Sequence, residues 1–212
     1  MNLADLRTDY RRGKLEREDL DVDPIGQFNA WMKEARDFGI IEPTAMSLAT
    51  VGTDGRPLLR TVLLKGVDAR GFVFFTNLDS RKARQLAQNP NAALMFPWLA
   101  LERQVVITGQ ANKLSTAESL RYFLTRPRES QLSAWASPQS SIISSRKVLE
   151  MEWEHLKAKF GAGQIPLPSF WGGYRVHPNT IEFWQGRPHR LHDRFEYTRQ
   201  ADNSWLLHRL AP

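Results

Sequence analysis

The first sustained hydrophobic pattern in the chain has helical spacing. Ile25, Phe28, Trp31, Met32, Ala35 and Phe38 share one face, with Asp23 as N-cap, Pro24 at the first helical position and Gly39 as the stop. Beyond Gly39 the period shortens towards two. Strands are predicted over residues 45–51 and 57–65, flanking Thr53-Asp54-Gly55-Arg56, whose Asp-Gly pair is a hairpin signal. Further strands fall at 71–76, 92–96, 103–109, 173–176, 180–185, 195–199 and 205–210. Helices are predicted at 80–88, 115–125 and 145–160. The second opens on a capping box from Ser115 to Glu118, and the third gathers Leu149, Trp153, Leu156 and Phe160 on one face. One antiparallel barrel decorated with helices accounts for this order, so the fold class is mostly β. Leucines on both faces of 57–65 predict a strand covered on both sides. Arg60 then shares a face with Leu58, Val62 and Leu64, where a guanidinium needs a partner or a ligand.

The N-terminus departs from this patterning. Residues 1–20 carry five basic and five acidic side chains and few large apolar ones, which predicts a mobile arm with little core contact. Residues 21–212 remain as the folded domain, and a chain of 212 residues can bury a substantial core. There is no apolar run of membrane-spanning length and no secretory signal, so a cytoplasmic location is the expectation. Cysteine is absent, which removes disulfides and thiolate chemistry. The net charge is +6, from 29 basic and 23 acidic residues, and calls for an anionic partner: nucleic acid, a membrane surface or a phosphorylated small molecule. The basic residues lie in short clusters beside aromatics and hydroxyls, without a block of like charge. That pattern fits phosphorylated ligands better than nucleic acid or membrane.

Three such clusters stand out. Thr76-Asn77-Leu78-Asp79-Ser80-Arg81-Lys82 places two cations in the first turn of a helix, against the helix dipole. A bound phosphate would resolve that conflict, and so would two side chains turned to solvent. Tyr122 and Arg126, four apart on a helix, end beside Pro127, with Ser130 on a following loop; with Arg128 nearby they form a phosphate cup or a packed tyrosine under a solvated cover. From Trp184 to Arg194 the chain packs Arg187, Arg190, Arg194, His189, His192 and Trp184 into eleven residues. Such a run suits a flat anionic ligand, and a basic surface loop is its bland alternative. Neither a Rossmann nor a P-loop phosphate motif is present. The two histidines lack supporting carboxylates beyond Asp193, which argues against a metal.

The run Trp184-Gln185-Gly186-Arg187-Pro188-His189-Arg190-Leu191-His192-Asp193-Arg194 resembles the signature of the pyridoxamine 5'-phosphate oxidase family, and the resemblance extends from about Leu6 to Pro212. It implies an FMN-binding split β-barrel and a homodimer whose cofactor site lies between subunits. The flavin contacts it implies are Arg60, Thr61, Val62, Leu63, Leu64 and Lys65 on one strand, then Phe75, Thr76, Arg81, Lys82, Gln104, Gln139, Ser140, Trp184 and Arg194. The substrate contacts it implies are Lys65, Tyr122, Arg126 and Ser130 around a phosphate, and Arg190, Leu191 and His192 over the pyridine ring. Arg7 and Tyr10 in the arm would close over the bound substrate. Arg190 and His192 carry the catalytic expectation. The implied reaction oxidises pyridoxamine or pyridoxine 5'-phosphate to pyridoxal 5'-phosphate, by hydride transfer to FMN and reoxidation with O2 to hydrogen peroxide. Phe75 stands where some relatives carry tyrosine, a change that a backbone contact survives. Another flavin enzyme of the split-barrel group, with a different substrate, is the alternative.

Overall fold

A computed structural model describes residues 9–212. Helix α1 (Pro24–Asp37) begins as expected, with the Asp23 carboxylate accepting from the Ile25 amide at 3.0 Å. Its buried face is Ile25, Phe28, Trp31 and Ala35, whereas Phe38 lies half exposed beneath the Arg12 guanidinium. The strands are β1 (Ala45–Val51), β2 (Pro57–Leu63), β3 (Gly66–Asp68), β4 (Gly71–Asn77), β5 (Asn91–Trp98), β6 (Arg103–Lys113), β7 (Trp171–Gln185), β8 (Asp193–Arg199) and β9 (Trp205–Leu210). The remaining helices are α2 (Arg81–Gln88), α3 (Thr116–Thr125), α4 (Arg128–Ala136) and α5 (Arg146–Phe160).

All nine strands join one antiparallel sheet in the order β2-β1-β5-β6-β7-β4-β3, with β8 and β9 branching from β7. The two outermost strands of that order, β2 and β3, are consecutive in the chain. Between them Leu64 N–H donates to Thr44 O at 2.9 Å and Lys65 N–H to Val73 O at 2.8 Å, so the sheet curls back towards itself. The result is a split barrel, as the family resemblance implied, where the sequence pattern alone predicted an antiparallel barrel with helices. α1 plugs it: Phe28 meets Phe72 and Phe96 edge-on at 4.9 and 5.0 Å, and Trp31 meets Phe183 at 5.1 Å. A smaller core of Phe123, Leu132, Leu156, Ile165 and Trp171 ties α3, α4 and α5 to the start of β7.

The structure corrects several expectations. β7 is continuous from 171 to 185, where two strands were predicted across His177-Pro178. A register shift at Thr108/Gly109 sets Gly109 against Pro178, so the missing proline N–H falls at a bulge. A Cβ on Gly109 would stand 2.0 Å from His177 O, which is why that partner is glycine. α4 begins directly after Pro127, so Ser130 lies on a helix and not on a loop. β2 is an edge strand within the chain and is not covered on both sides, since Leu59 is 68% exposed. The arm does reach the core. Leu15 is 3% exposed, and its N–H donates to Asp193 Oδ2 at 3.1 Å. Among the described residues no helix is long and apolar enough to cross a membrane.

Candidate active site

Between β2, β4, α3 and α4 lies a cavity of about 330 Å³. β2 contributes Thr61, Val62 and Leu63, and Lys65 follows at its exit. β4 supplies Phe75, Thr76 and Asn77, and α2 supplies Lys82. α3 and its C-cap supply Tyr122 and Arg126, while Gln139 comes from the loop after α4. Ten of the expected site residues therefore converge here. Among the described residues the lining holds three cations, Lys65, Lys82 and Arg126, and no carboxylate.

Local sequence explains how these groups face inward. Ser80 caps α2, its hydroxyl accepting from the Ala83 amide, and the first turn then points Lys82 in and Arg81 out. Arg81 thus takes the solvent resolution of the dipole conflict, and Lys82 turns into the cavity. Lys82 Nζ donates to Thr76 Oγ1 at 3.0 Å and to Gln139 Oε1 at 2.8 Å. Burial, helped by the neighbouring Arg60 charge, lowers the Lys82 amine to about 8. Arg60 itself sits just outside, donating to Leu48 O at 2.9 Å and Thr50 Oγ1 at 2.6 Å, so its place among apolar neighbours is met by strand β1.

At the other end of the cavity Phe75 stacks on Tyr122, with centroids 4.0 Å apart, and on Trp171 at 5.2 Å. Burial raises the Tyr122 phenol, which holds it neutral and able to donate. Arg126 lies against this stack, and its buried Nη1 has no hydrogen-bond partner among the described residues. Burial lowers the Arg126 guanidinium, which stays charged at any ordinary pH. A buried, unsatisfied guanidinium nitrogen in a pocket without carboxylates is what a seat for an anion looks like.

The other expected residues lie elsewhere. Leu64 is buried in the barrel core. Arg81 lines a separate groove with Arg56 and Arg84. Ser130 is half-buried on α4, and Ser140 is exposed at φ +72°. Gln104 pairs in register with Trp184, at the opposite end of β7 from Trp171. Trp184 meets His192 at 4.7 Å, and Tyr10 packs edge-on against both at 5.7 Å. His192 Nδ1 accepts from the Arg187 amide at 3.1 Å, which leaves Nε2 to carry the proton of the neutral ring. Arg190 is exposed at φ +62° beside the exposed Leu191, and Arg194 forms a two-point ion pair with Glu182 at 2.9 and 3.0 Å. Arg7 lies outside the described residues. The sequence reading missed Asn77, Ser133, Ala134, Ser137 and Trp171 as lining residues. Ser133 and Ser137, four apart, carried a signal: small polar residues at helical spacing clear one helix face.

Fold and cavity together define a split β-barrel with a cationic, aromatic-walled pocket. The profile of the family described as "Pyridoxamine 5'-phosphate oxidase" matches residues 32–160, and that of the "Pyridoxine 5'-phosphate oxidase C-terminal dimerisation region" matches 171–212. The chain belongs to the pyridoxamine 5'-phosphate oxidase family and is an oxidase. Over 212 residues, all of both chains, it is 61% identical to the pyridoxine/pyridoxamine 5'-phosphate oxidase of Rippkaea orientalis. The protein of that name from Vibrio cholerae is 57% identical, again over all of both chains. Among solved structures, PhzG from Burkholderia lata, in complex with tetrahydrophenazine-1-carboxylic acid, superposes with a TM-score of 0.88 at 32% identity, covering 93% of this chain and 98% of that one. A pyridoxamine 5'-phosphate oxidase-related, FMN binding protein from Nostoc punctiforme shares the fold, with a TM-score of 0.71 at 18% identity over 88% and 96% of the two chains.

Proposed function

We propose that this chain is an FMN-dependent oxidase that converts pyridoxamine or pyridoxine 5'-phosphate to pyridoxal 5'-phosphate, with O2 as acceptor and hydrogen peroxide as product. The observation that carries the reading is the anion seat around Arg126, whose buried Nη1 lacks a partner in a cavity without carboxylates. The relatives' names supply the substrate class.

The residues present fit a phosphorylated flavin. Lys82 and Thr76 offer a charged amine and a hydroxyl at one spot, with Arg60 beside them and Arg81 on the same helix turn. Thr61, Val62, Leu63, Lys65, Phe75, Gln139 and Ser140 would hold FMN from one side, and Gln104, Trp184 and Arg194 from another. When bound, the flavin supplies the two-electron acceptor that no side chain can provide.

Lys65, Tyr122 and Arg126 hold the substrate phosphate, and Ser130, on the helix that follows Arg126, does not line the cavity. Binding energy remote from the reacting carbon thereby orients it. Arg190 and His192 cover the pyridine ring, where Arg190 stabilises developing charge and His192 donates through Nε2. Tyr10, already packed on His192 and Trp184, closes over the ligand.

Among the described residues, Trp184, Arg190 and His192 do not line the pocket around Arg126. A second copy of the chain brings the two groups together, which agrees with a dimerisation region that covers 171–212. Each site is thus built from both copies.

The test is anaerobic addition of pyridoxamine 5'-phosphate to the purified yellow protein. Bleaching of the flavin band, and recovery in air with release of hydrogen peroxide, is the expected result. A flavin band indifferent to the vitamer but bleached by another planar acid would favour a second reading, an oxidase of a different substrate. The tetrahydrophenazine carboxylate held by the Burkholderia lata relative makes that reading specific. A protein that takes up no FMN sinks both.

A further inference from the structure

Arg126 differs from the ion-paired arginines of this protein in that its buried Nη1 has no partner among the described residues. Arg103, Arg175, Arg187, Arg194 and Arg209 each meet a carboxylate within 4.0 Å. Arg126 meets none among the described residues, although its Nη1 is buried. What stands against it is an aromatic face. Its Cζ lies 4.8 Å from the centre of the Trp171 ring and 5.8 Å from that of Phe123.

We infer that Trp171 is a positioning residue for the substrate phosphate: its indole face holds the Arg126 guanidinium in the cavity in place of a counter-ion. The inference rests on the proposed function and extends it to a residue outside the expected phosphate cup. A carboxylate at this place would fix the guanidinium equally well but would cancel its charge and occupy its donors. An indole attracts the cation through its ring quadrupole and leaves the N–H groups free. The free donors are the ones a phosphate needs.

The indole is itself held rigidly. Trp171 opens β7 opposite Asn77 on β4. Phe75 lies parallel to it at 5.2 Å with an interplanar angle of 7°, and Phe123 meets it edge-on at 5.3 Å. The guanidinium's own backbone is fixed too, since the Arg126 N–H donates to Phe123 O at 3.2 Å and Gln131 Nε2 donates to Arg126 O at 2.9 Å. Both partners of the cation–π contact are therefore set before a ligand arrives.

The test uses the FMN-loaded enzyme and compares pyridoxamine 5'-phosphate with unphosphorylated pyridoxamine. Trp171→Leu should raise KM for the phosphorylated vitamer about tenfold, equivalent to about 1.4 kcal/mol. The affinity for unphosphorylated pyridoxamine should fall much less than that for the phosphorylated vitamer, so the preference between the two narrows. Trp171→Phe, with a weaker π face, should cost about threefold. A role in packing alone would weaken both vitamers together. An unchanged preference for the phosphorylated vitamer in Trp171→Leu overturns the inference. Should that variant lose FMN or unfold, the same preference in Trp171→Phe decides the matter in the same sense. If the wild-type enzyme shows no preference for the phosphorylated vitamer, the proposed function itself fails, and the inference with it.

Discussion

Gln139 Oε1 accepts a hydrogen bond from Lys82 Nζ at 2.8 Å, bringing together a loop and a helix that are 57 residues apart in sequence. With Thr76 Oγ1 at 2.9 Å from the same oxygen, three side chains from three elements meet at one point in a cavity that has no carboxylate. Among the described residues, only a neutral amide oxygen and a hydroxyl answer the lysine charge.

Lys82→Met should therefore weaken FMN binding by about 10- to 100-fold, the range for a hydrogen bond to a charged group. Folding stability should stay level or rise, because a buried charge is removed. Titration of flavin fluorescence together with thermal melting checks both halves. Full FMN affinity in the variant would remove Lys82 from the phosphate site.

The same amine gives a pH signature. With its pKa at about 8, Lys82 loses its charge as pH rises through that value, so FMN affinity should fall over the same range. Lys82→Arg should flatten the step. The stability effect has the opposite sign. The folded pKa of about 8 lies below the ordinary 10.5, so between these values the unfolded chain binds more protons. The contribution of this group to the stability of the FMN-free protein is lowest below pH 8 and rises with pH towards 10.5.

Arg126 and Arg190 should part company in steady-state kinetics. On the proposed function, Arg126→Ala would remove a phosphate contact remote from the reacting carbon and should mainly raise KM. On the same reading, Arg190→Ala should mainly lower kcat, because its interaction would belong to the ring where charge develops. An Arg190→Ala enzyme with wild-type kcat would show that the exposed arginine has no catalytic part.

Gly173 faces the Phe75 ring. A Cβ there would come within 2.8 Å of Phe75 and 2.7 Å of Leu114. Gly173→Ala should force the ring off Tyr122 and Trp171 and cost about 1–3 kcal/mol. Melting should show the loss of stability, and near-ultraviolet circular dichroism the loss of the stack.

Leu15→Ala tests whether the arm is anchored. Removal of a side chain that is 3% exposed should cost about 2–4 kcal/mol, whereas a free arm would show no change.

Local signals were enough for much of this fold. Asp23-Pro24 and the Ser115–Glu118 box start helices where they should, because a cap acts within one turn. Asp54-Gly55 turns β1 into β2 with Gly55 at φ +69°. What stayed hidden depended on distant partners. α4 has no side-chain cap and was masked by Pro127, read as the end of a helix when it also begins one. Leu15 looked like part of a solvated arm because its neighbours are charged, and its burial depends on β8 through Asp193. The cations that line the cavity, Lys65, Lys82 and Arg126, were legible from the sequence. Trp171 was not, since its meeting with Arg126 is set by the packing of β7 on α3 and leaves no periodicity along the chain.

The unbroken run of β7 has a geometric consequence. Trp171 and Trp184 sit near its two ends, and at about 3.3 Å per residue a strand holds them on the order of 40 Å apart along its length. A paired strand is a stiff ruler, and no breathing of one subunit lets its ends meet. If each pocket borrows the Trp184 end of a neighbour, a solitary chain owns two halves of different sites and no whole one. Catalysis would then vanish on dilution before the fold does, and a mixed pair, with Arg126→Ala in one copy and Arg190→Ala in the other, would keep one site intact and lose both functions in the second.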